Sequence, residues 1–207
     1  MPSFHYANPA VVHWGPGCAR ERLGEEIRRL DARRVLLVTT RSALRDPRLA
    51  PAVEALLGDR LAGRFGEVGE HAPARSVMEL AEAARAARAD ALVSLGGGSP
   101  IDAAKAAAFS LATGLDLRLP DSLARARGVK LGPVLPHVAL PTTLSAAELS
   151  GGAGFSAEGT REKVGVAAPE LRPAAALYDA ELALATPLAL WLSTGIRAVD
   201  HAVHREC

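Results

Sequence analysis

Cysteine is almost absent: Cys18 and Cys207 are the 2 among 207 residues, too far apart in sequence for a disulfide framework or a zinc-ligand spacing. A reducing, cytoplasmic setting is the expectation. An excess of one charge is missing too. Lys and Arg number 24 against 23 Asp and Glu, a formal net charge of +1, which argues against nucleic acid or an anionic membrane as the main partner. No apolar run approaches the ~18 residues of a membrane span, and 1–14 lacks the basic start and apolar centre of a secretory signal. Lys, Asn and Gln are scarce beside Ala and Arg, a coding bias that says little about function. Repeats, low-complexity tracts and long runs of like charge are lacking. Apolar residues make up 49% of the chain, enough for a sizeable core, so disorder is excluded and one large domain, or one domain and part of another, is expected.

The apolar residues alternate between two kinds of pattern. Residues 11–14 read as a short strand, and after the Gly15-Pro16-Gly17 turn Leu23, Ile27 and Leu30 form the stripe of a helix over 18–30. The run 35–40 is apolar until its closing threonines, the mark of a central parallel strand buried on both faces. A helix over 47–57 ends at Gly58, a poorer strand covers 61–68, and a helix over 76–88 is capped by Ser76 with Glu79. A strand over 91–95 and a helix over 100–113 follow, with Gly114 as its stop. Beyond a polar connection over 116–132 come a strand over 134–140 containing Pro136, a hairpin of 150–155 with 163–166, and a strand over 174–178. From Pro187 a helical stripe of Leu188, Trp191, Leu192, Gly195, Ile196, Val199 and Val203 runs to the chain end. This order predicts an α/β fold, a layered Rossmann-like and mainly parallel sheet with helices on both faces, over 1–181. Residues 182–207 are expected to be the first helix of an otherwise missing all-helical domain. Its uncovered stripe predicts association, with a homodimer as the expected assembly.

The most informative run is Gly96-Gly97-Gly98-Ser99-Pro100-Ile101-Asp102, between a strand's carboxyl end and a helix's amino end. Three glycines remove every Cβ from the turn, permit positive φ, and let backbone N–H groups approach a bulky anion such as phosphate. Ser99 is expected as the N-cap, Pro100 at the first helical position, and Asp102 as the partner of Ser99 in a capping box. The same run also reads as no more than a tight connection, since it matches neither G-x-G-x-x-G nor the P-loop pattern. Thr142 and Thr143 close a later strand at what is the same sheet edge if the strands are parallel, and can line the same site.

Taken in order, three elements resemble the iron-containing alcohol dehydrogenase family, in its maleylacetate reductase-like branch. They are Gly96 to Lys105 (Gly-Gly-Gly-Ser-x-x-Asp-x-x-Lys), Pro141-Thr142-Thr143 with Glu148, and the last helix with Gly195 and His201. The resemblance implies an amino-terminal domain that binds NAD or NADP and a helical domain that supplies most metal and substrate contacts. It places Gly96, Gly97, Gly98 and Ser99 around the pyrophosphate, Asp102 near the nicotinamide, Thr142 and Thr143 beside the nucleotide, and Lys163 near the cofactor ribose. Thr39 and Thr40 end the first central strand, where an acidic residue would favour NAD, so the choice between NAD and NADP stays open. The family's divalent metal, iron or zinc, is held by an Asp and a His four apart, but Arg197 stands at the Asp position. An arginine offers only donors and cannot replace a carboxylate. That leaves His201 as the one metal ligand in register, too few for a site by itself. The pair Asp200 and His204 offers a second register that would forfeit the match of Gly195, Ala198 and Ala202. The other histidines, His5, His13, His71 and His137, are scattered without ligand spacing.

The expectation is therefore an NAD(P)-dependent oxidoreductase that moves hydride between the nicotinamide and a small alcohol or carbonyl. Arg197 and His201 are its candidate catalytic residues. Arg197 favours an anionic substrate, a keto acid such as maleylacetate. The alternatives are a nucleotide-binding module without activity of its own, and an enzyme resembling polyol-phosphate dehydrogenases or dehydroquinate synthase.

Overall fold

A strand that is buried at every position has no face to turn toward water, and three of the strands here are of that kind. The structure, a computed structural model, describes residues 9–159 and 162–204. Its elements run β1 (Val11–Trp14), α1 (Cys18–Arg29), β2 (Val35–Val38), α2 (Arg41–Arg45), α3 (Ala50–Leu57), β3 (Leu61–Phe65), α4 (Ala74–Ala86) and β4 (Ala91–Gly96). They continue with α5 (Gly98–Thr113), α6 (Pro120–Arg125), β5 (His137–Pro141), β6 (Gly152–Ser156), β7 (Lys163–Ala167), β8 (Ala175–Tyr178), α7 (Ala180–Ala183) and α8 (Leu188–His204). Every residue of β2, β4 and β5 is buried, and these strands form the middle of a 6-stranded sheet ordered β1-β8-β5-β4-β2-β3. All its pairings are parallel. The strands β6 and β7 make a separate antiparallel hairpin.

The two-residue period of the strands sorts the core into two layers. Val35 and Leu37 of β2 face α1 and α3, where Leu23, Ile27 and Val53 are buried. Leu36 and Val38 face the other way, toward α4 and α5, where Val77, Leu80 and Phe109 are buried. The β6–β7 hairpin packs on that second side through Phe155 and Val166. This is the layered arrangement expected from the sequence, with helices on both faces of a parallel sheet. The helix α5 is buried almost all round, from Pro100 to Ser110. Its alanines let it nest between the sheet, α4 and the hairpin.

The chain leaves β2 for the α1 and α3 face and leaves β4 for the α4 and α5 face, although β2 and β4 are neighbours. Their outgoing loops diverge, which opens a crevice at the carboxyl edge of the sheet where open α/β folds bind ligands. A second device fastens the far side of the sheet. Asp179, after β8, accepts hydrogen bonds from Gly17, Ala19 and Glu181 N–H at 2.9 Å each, so one buried carboxylate caps both α1 and α7.

Several boundaries differ from the sequence expectation for identifiable reasons. Of the helix expected over 47–57 only Ala50–Leu57 forms, as α3, and a separate short helix not expected from the sequence, α2, precedes the turn at Asp46-Pro47 because Thr40 caps it. The strand expected over 61–68 stops at Phe65. The strand expected from 134 begins at His137, after Pro136. Ser76 does not cap α4. The helix starts two residues earlier, at Ala74, and the Ser76 hydroxyl donates instead to the Glu67 carbonyl at 2.8 Å.

Candidate functional site

The site is built around the end of β4. Gly96 takes φ 136, a backbone region that side-chain-bearing residues rarely enter, and this turns the strand into α5. Gly97 has an ordinary φ of −79, but a Cβ there would stand 3.1 Å from Thr143 Oγ1 and 3.2 Å from its Cγ2. A Cβ on Gly98 would stand 3.2 Å from the Ser145 side chain. Of the three glycines only Gly96 uses positive φ; the other two are small because the segment after β5 is pressed against them, Thr143 on Gly97 and Ser145 on Gly98. The backbone completes that contact, with Thr142 N–H donating to the Gly96 carbonyl at 2.9 Å. The Pro-Thr-Thr element and the glycine loop are therefore one structure, as their shared sheet edge suggested.

The helix α5 begins at Gly98, earlier than expected, and no side chain caps it. Ser99 and Pro100 consequently lie inside the first turn, and the expected capping box between Ser99 and Asp102 does not form. Ser99 Oγ accepts from His71 N–H at 3.1 Å instead, and Asp102 pairs with Lys105 at 2.9 Å. The first-turn N–H groups of a 16-residue helix are left facing the crevice, with the positive end of its dipole. Thr143 is 6% exposed, and its Oγ1 has no hydrogen-bond partner. An orphaned buried hydroxyl beside an uncapped helix terminus and a Cβ-free loop is a cradle whose chemistry fits a phosphate.

A residue with no role assigned from the sequence holds the cradle in shape. Lys105 is fully buried and donates to the carbonyls of Ala147 at 2.8 Å and Gly152, with Ser150 at 3.5 Å. It ties α5 to the segment after the threonines. Burial pushes the Asp102 carboxyl above its ordinary range, against the opposing pull of Lys105, the Gly154 N–H and Lys163. Glu148 is buried nearby, with Oε1 accepting from the Tyr178 hydroxyl at 2.7 Å and Oε2 unpartnered. Burial raises its pKa as well, opposed by its own N–H, Tyr178 and Lys105. The hint in the sequence was a single lysine inside an alanine-rich helical face, but its partners are carbonyls some forty residues on, beyond the reach of pattern.

The remaining expected residues fall on three sides. Lys163 opens β7 and is exposed, close enough to Asp102 to act on its charge. Thr39 is buried and donates to the Leu95 carbonyl at 2.8 Å, while Thr40 accepts from Ala43 N–H as the α2 cap. Thr40, Arg41 and Ser42 share a cleft of about 540 Å³ with Glu67, Glu70 and Ser99. The helix α8 docks on the threonine segment. Thr194 Oγ1 accepts from Leu144 N–H at 3.2 Å, and Gly195 admits Leu144 Cδ1 to 3.1 Å from where a Cβ would be. Arg197 and His201 belong to α8, and their side chains lie outside the described residues. Among the described residues no three His, Cys, Asp or Glu side chains converge to hold a metal ion. Among the described residues, too, no helix is long and apolar enough to cross a membrane.

Comparison with known proteins adds relatives to this geometry. The sequence profile described as "Iron-containing alcohol dehydrogenase" matches residues 9–180. Maleylacetate reductase from Rhizobium sp. is 32% identical over 202 residues, covering 98% of this chain and 50% of that protein. Maleylacetate reductase 2 from Cupriavidus pinatubonensis is 36% identical over 195 residues, covering 94% and 46%. The crystal structure of maleylacetate reductase from Agrobacterium tumefaciens superimposes with a TM-score of 0.76 at 33% identity, covering 98% of this chain and 50% of that one. NADH-dependent butanol dehydrogenase A from Thermotoga maritima shares the fold, with a TM-score of 0.85 at 24% identity over 98% and 50%. The chain spans about half the length of the curated relatives it matches.

Proposed function

The chain belongs to the iron-containing alcohol dehydrogenase family, on the side of its maleylacetate reductases, and from this premise we propose that it serves an NAD(P)-dependent oxidoreductase as its cofactor-binding half. The proposed reaction moves hydride between the nicotinamide and a small alcohol or carbonyl compound. The observation that carries the reading is the cradle, in which a Cβ-free loop, an uncapped helix terminus and the unpartnered Thr143 hydroxyl face one crevice. Residues 1–181 are the proposed dinucleotide-binding domain and 182–207 the proposed beginning of a helical domain for metal and substrate.

In this reading the N–H groups of Gly97, Gly98 and Ser99 hold the pyrophosphate, with Gly96 providing the turn. Thr142 fixes the loop through its backbone, and Thr143 donates its hydroxyl to the bound anion. Lys105 and Asp102 keep the loop rigid from behind, and Lys163 adds positive charge at the edge of the same region. The dinucleotide, when bound, supplies or accepts the hydride. Arg197 is assigned to a substrate carboxylate, which makes a keto acid such as maleylacetate the proposed substrate class. His201 is assigned to the reacting end, as a proton carrier or as one ligand of a divalent metal. The assembly proposed is a homodimer.

Fluorescence titration with NADH and NADPH tests the cofactor assignment, and reduction of a keto acid followed at the nicotinamide absorbance tests the reaction. Saturable binding with turnover that Arg197→Ala abolishes is the expected result. Binding without turnover would assign the chain to nucleotide binding alone, and no binding would remove the proposal.

A further inference from the structure

We infer that Arg41, set between Thr40 and Ser42, reads the 2′-phosphate of the cofactor and makes this chain NADP-preferring. The inference rests on the dinucleotide reading above and deepens it. The cleft of about 540 Å³ is shaped by three loops at the carboxyl edge of the sheet: Thr40, Arg41 and Ser42 after β2, Glu67 and Glu70 after β3, and Ser99 after β4. Ser99 belongs to the phosphate cradle, so the cleft continues directly from it toward the position at the end of β2 that distinguishes the two cofactors. A carboxylate at that position would accept the ribose hydroxyls and repel a phosphate. Here the position carries Thr40, Arg41 and Ser42, with no carboxylate among the three. The hydroxyls of Thr40 and Ser42 hydrogen-bond to each other at 2.9 Å, which leaves one hydroxyl hydrogen beside the forked guanidinium of Arg41 as the donor set a phosphate would meet.

The charges facing Arg41 decide whether it is available. Its guanidinium pairs with Glu67 of the neighbouring loop, but both side chains are open to water, 72% and 47% exposed. An ion pair this exposed is weak, and a phosphate with close to two negative charges is the stronger bidentate partner. Glu70 is 89% exposed and faces His71 at 3.5 Å. Glu67 is therefore a competitor that the 2′-phosphate displaces from Arg41. The rival assignment, in which Glu67 accepts the ribose hydroxyls of NAD, makes the opposite demand on a Glu67 variant.

Isothermal titration of the chain with NADPH, NADH, adenosine 2′,5′-bisphosphate and 5′-AMP separates the cases. NADPH is expected to bind about ten- to a hundredfold more tightly than NADH, with the bisphosphate exceeding 5′-AMP by a similar factor. Arg41→Ala should erase the difference while leaving NADH within about twofold, and Glu67→Gln should tighten NADPH. Both side chains are exposed, so each variant is expected to keep the wild-type circular dichroism. Equal or tighter binding of NADH, an equal loss for both cofactors in Arg41→Ala, or a selective loss of NADH in Glu67→Gln would overturn the inference. Failure of both dinucleotides to bind would instead strike the dinucleotide reading beneath it.

Discussion

Lys105 shows how one residue can organise a site it does not touch. It lies in the interior with Asp102 as counter-ion and backbone carbonyls as its other partners. Removing the amine leaves a half-buried carboxylate and buried carbonyl acceptors without a donor, so Lys105→Met is expected to cost about 3 kcal/mol in denaturant unfolding. Lys105→Met combined with Asp102→Asn should recover part of the loss. Gly96 and Gly97 separate two kinds of glycine requirement. Gly96→Ala meets a forbidden φ and should destabilise by roughly 1–3 kcal/mol. Gly97→Ala keeps an allowed φ, displaces Thr143, and should weaken dinucleotide binding with little change in the unfolding midpoint. His137 provides a pH test. It is fully buried against Ser94 at 2.7 Å, and burial pushes its pKa down to about 3. The unfolded chain takes up this proton near pH 6.5 and the folded one does not. Its contribution is therefore complete above about pH 6.5 and is lost as pH falls toward 3, by roughly 4–5 kcal/mol at the limit. Urea unfolding at pH 7 and pH 4.5 should show a flatter dependence for His137→Gln than for the wild type.

At the scale of elements, the buried strands were legible because an unbroken apolar run has few alternatives. The helix starts were harder for a specific reason. Ser76 with Glu79 and Ser99 with Asp102 both present the spacing of a capping box, yet each serine hydroxyl bonds a distant segment and each helix begins before it. Local pattern cannot register a tertiary partner that outbids the cap. The cradle was legible as a glycine loop plus two threonines, whereas Lys105, the Glu148–Tyr178 pair and the Arg41 cleft depend on contacts between segments far apart in the chain. The helix α8 carries its own consequence. Leu188 (70%), Ile196 (70%), Val199 (60%) and Leu192 (54%) are exposed along it, an apolar face of the kind that seeks cover. Concentration-dependent association of the 207-residue chain is expected in sedimentation velocity, and it should diminish when Leu188 and Ile196 are replaced by Ser.

For the molecule as a whole, the parallel order β8-β5-β4-β2-β3 and the divergence of loops beside β2 and β4 turn a set of strand ends into a binding edge. The glycine loop, the threonine segment and the Thr40 to Ser42 turn all open on that edge. On the opposite edge, Arg28, Asp31, Arg33, Asp59 and Arg60 surround a second hollow of about 390 Å³ with mixed charge, away from the glycine loop. In the proposed complex a dinucleotide sits at the first edge with its phosphates on the start of α5. Residue-resolved hydrogen exchange of the chain with and without saturating NADPH tests this most directly. Slowed exchange is expected at the amides of Gly97, Gly98 and Ser99 and at 142–143, with no change at 28–33. Protection confined to 28–33 and 59–60, or unaltered exchange at Gly97 to Ser99 under saturating cofactor, would contradict it.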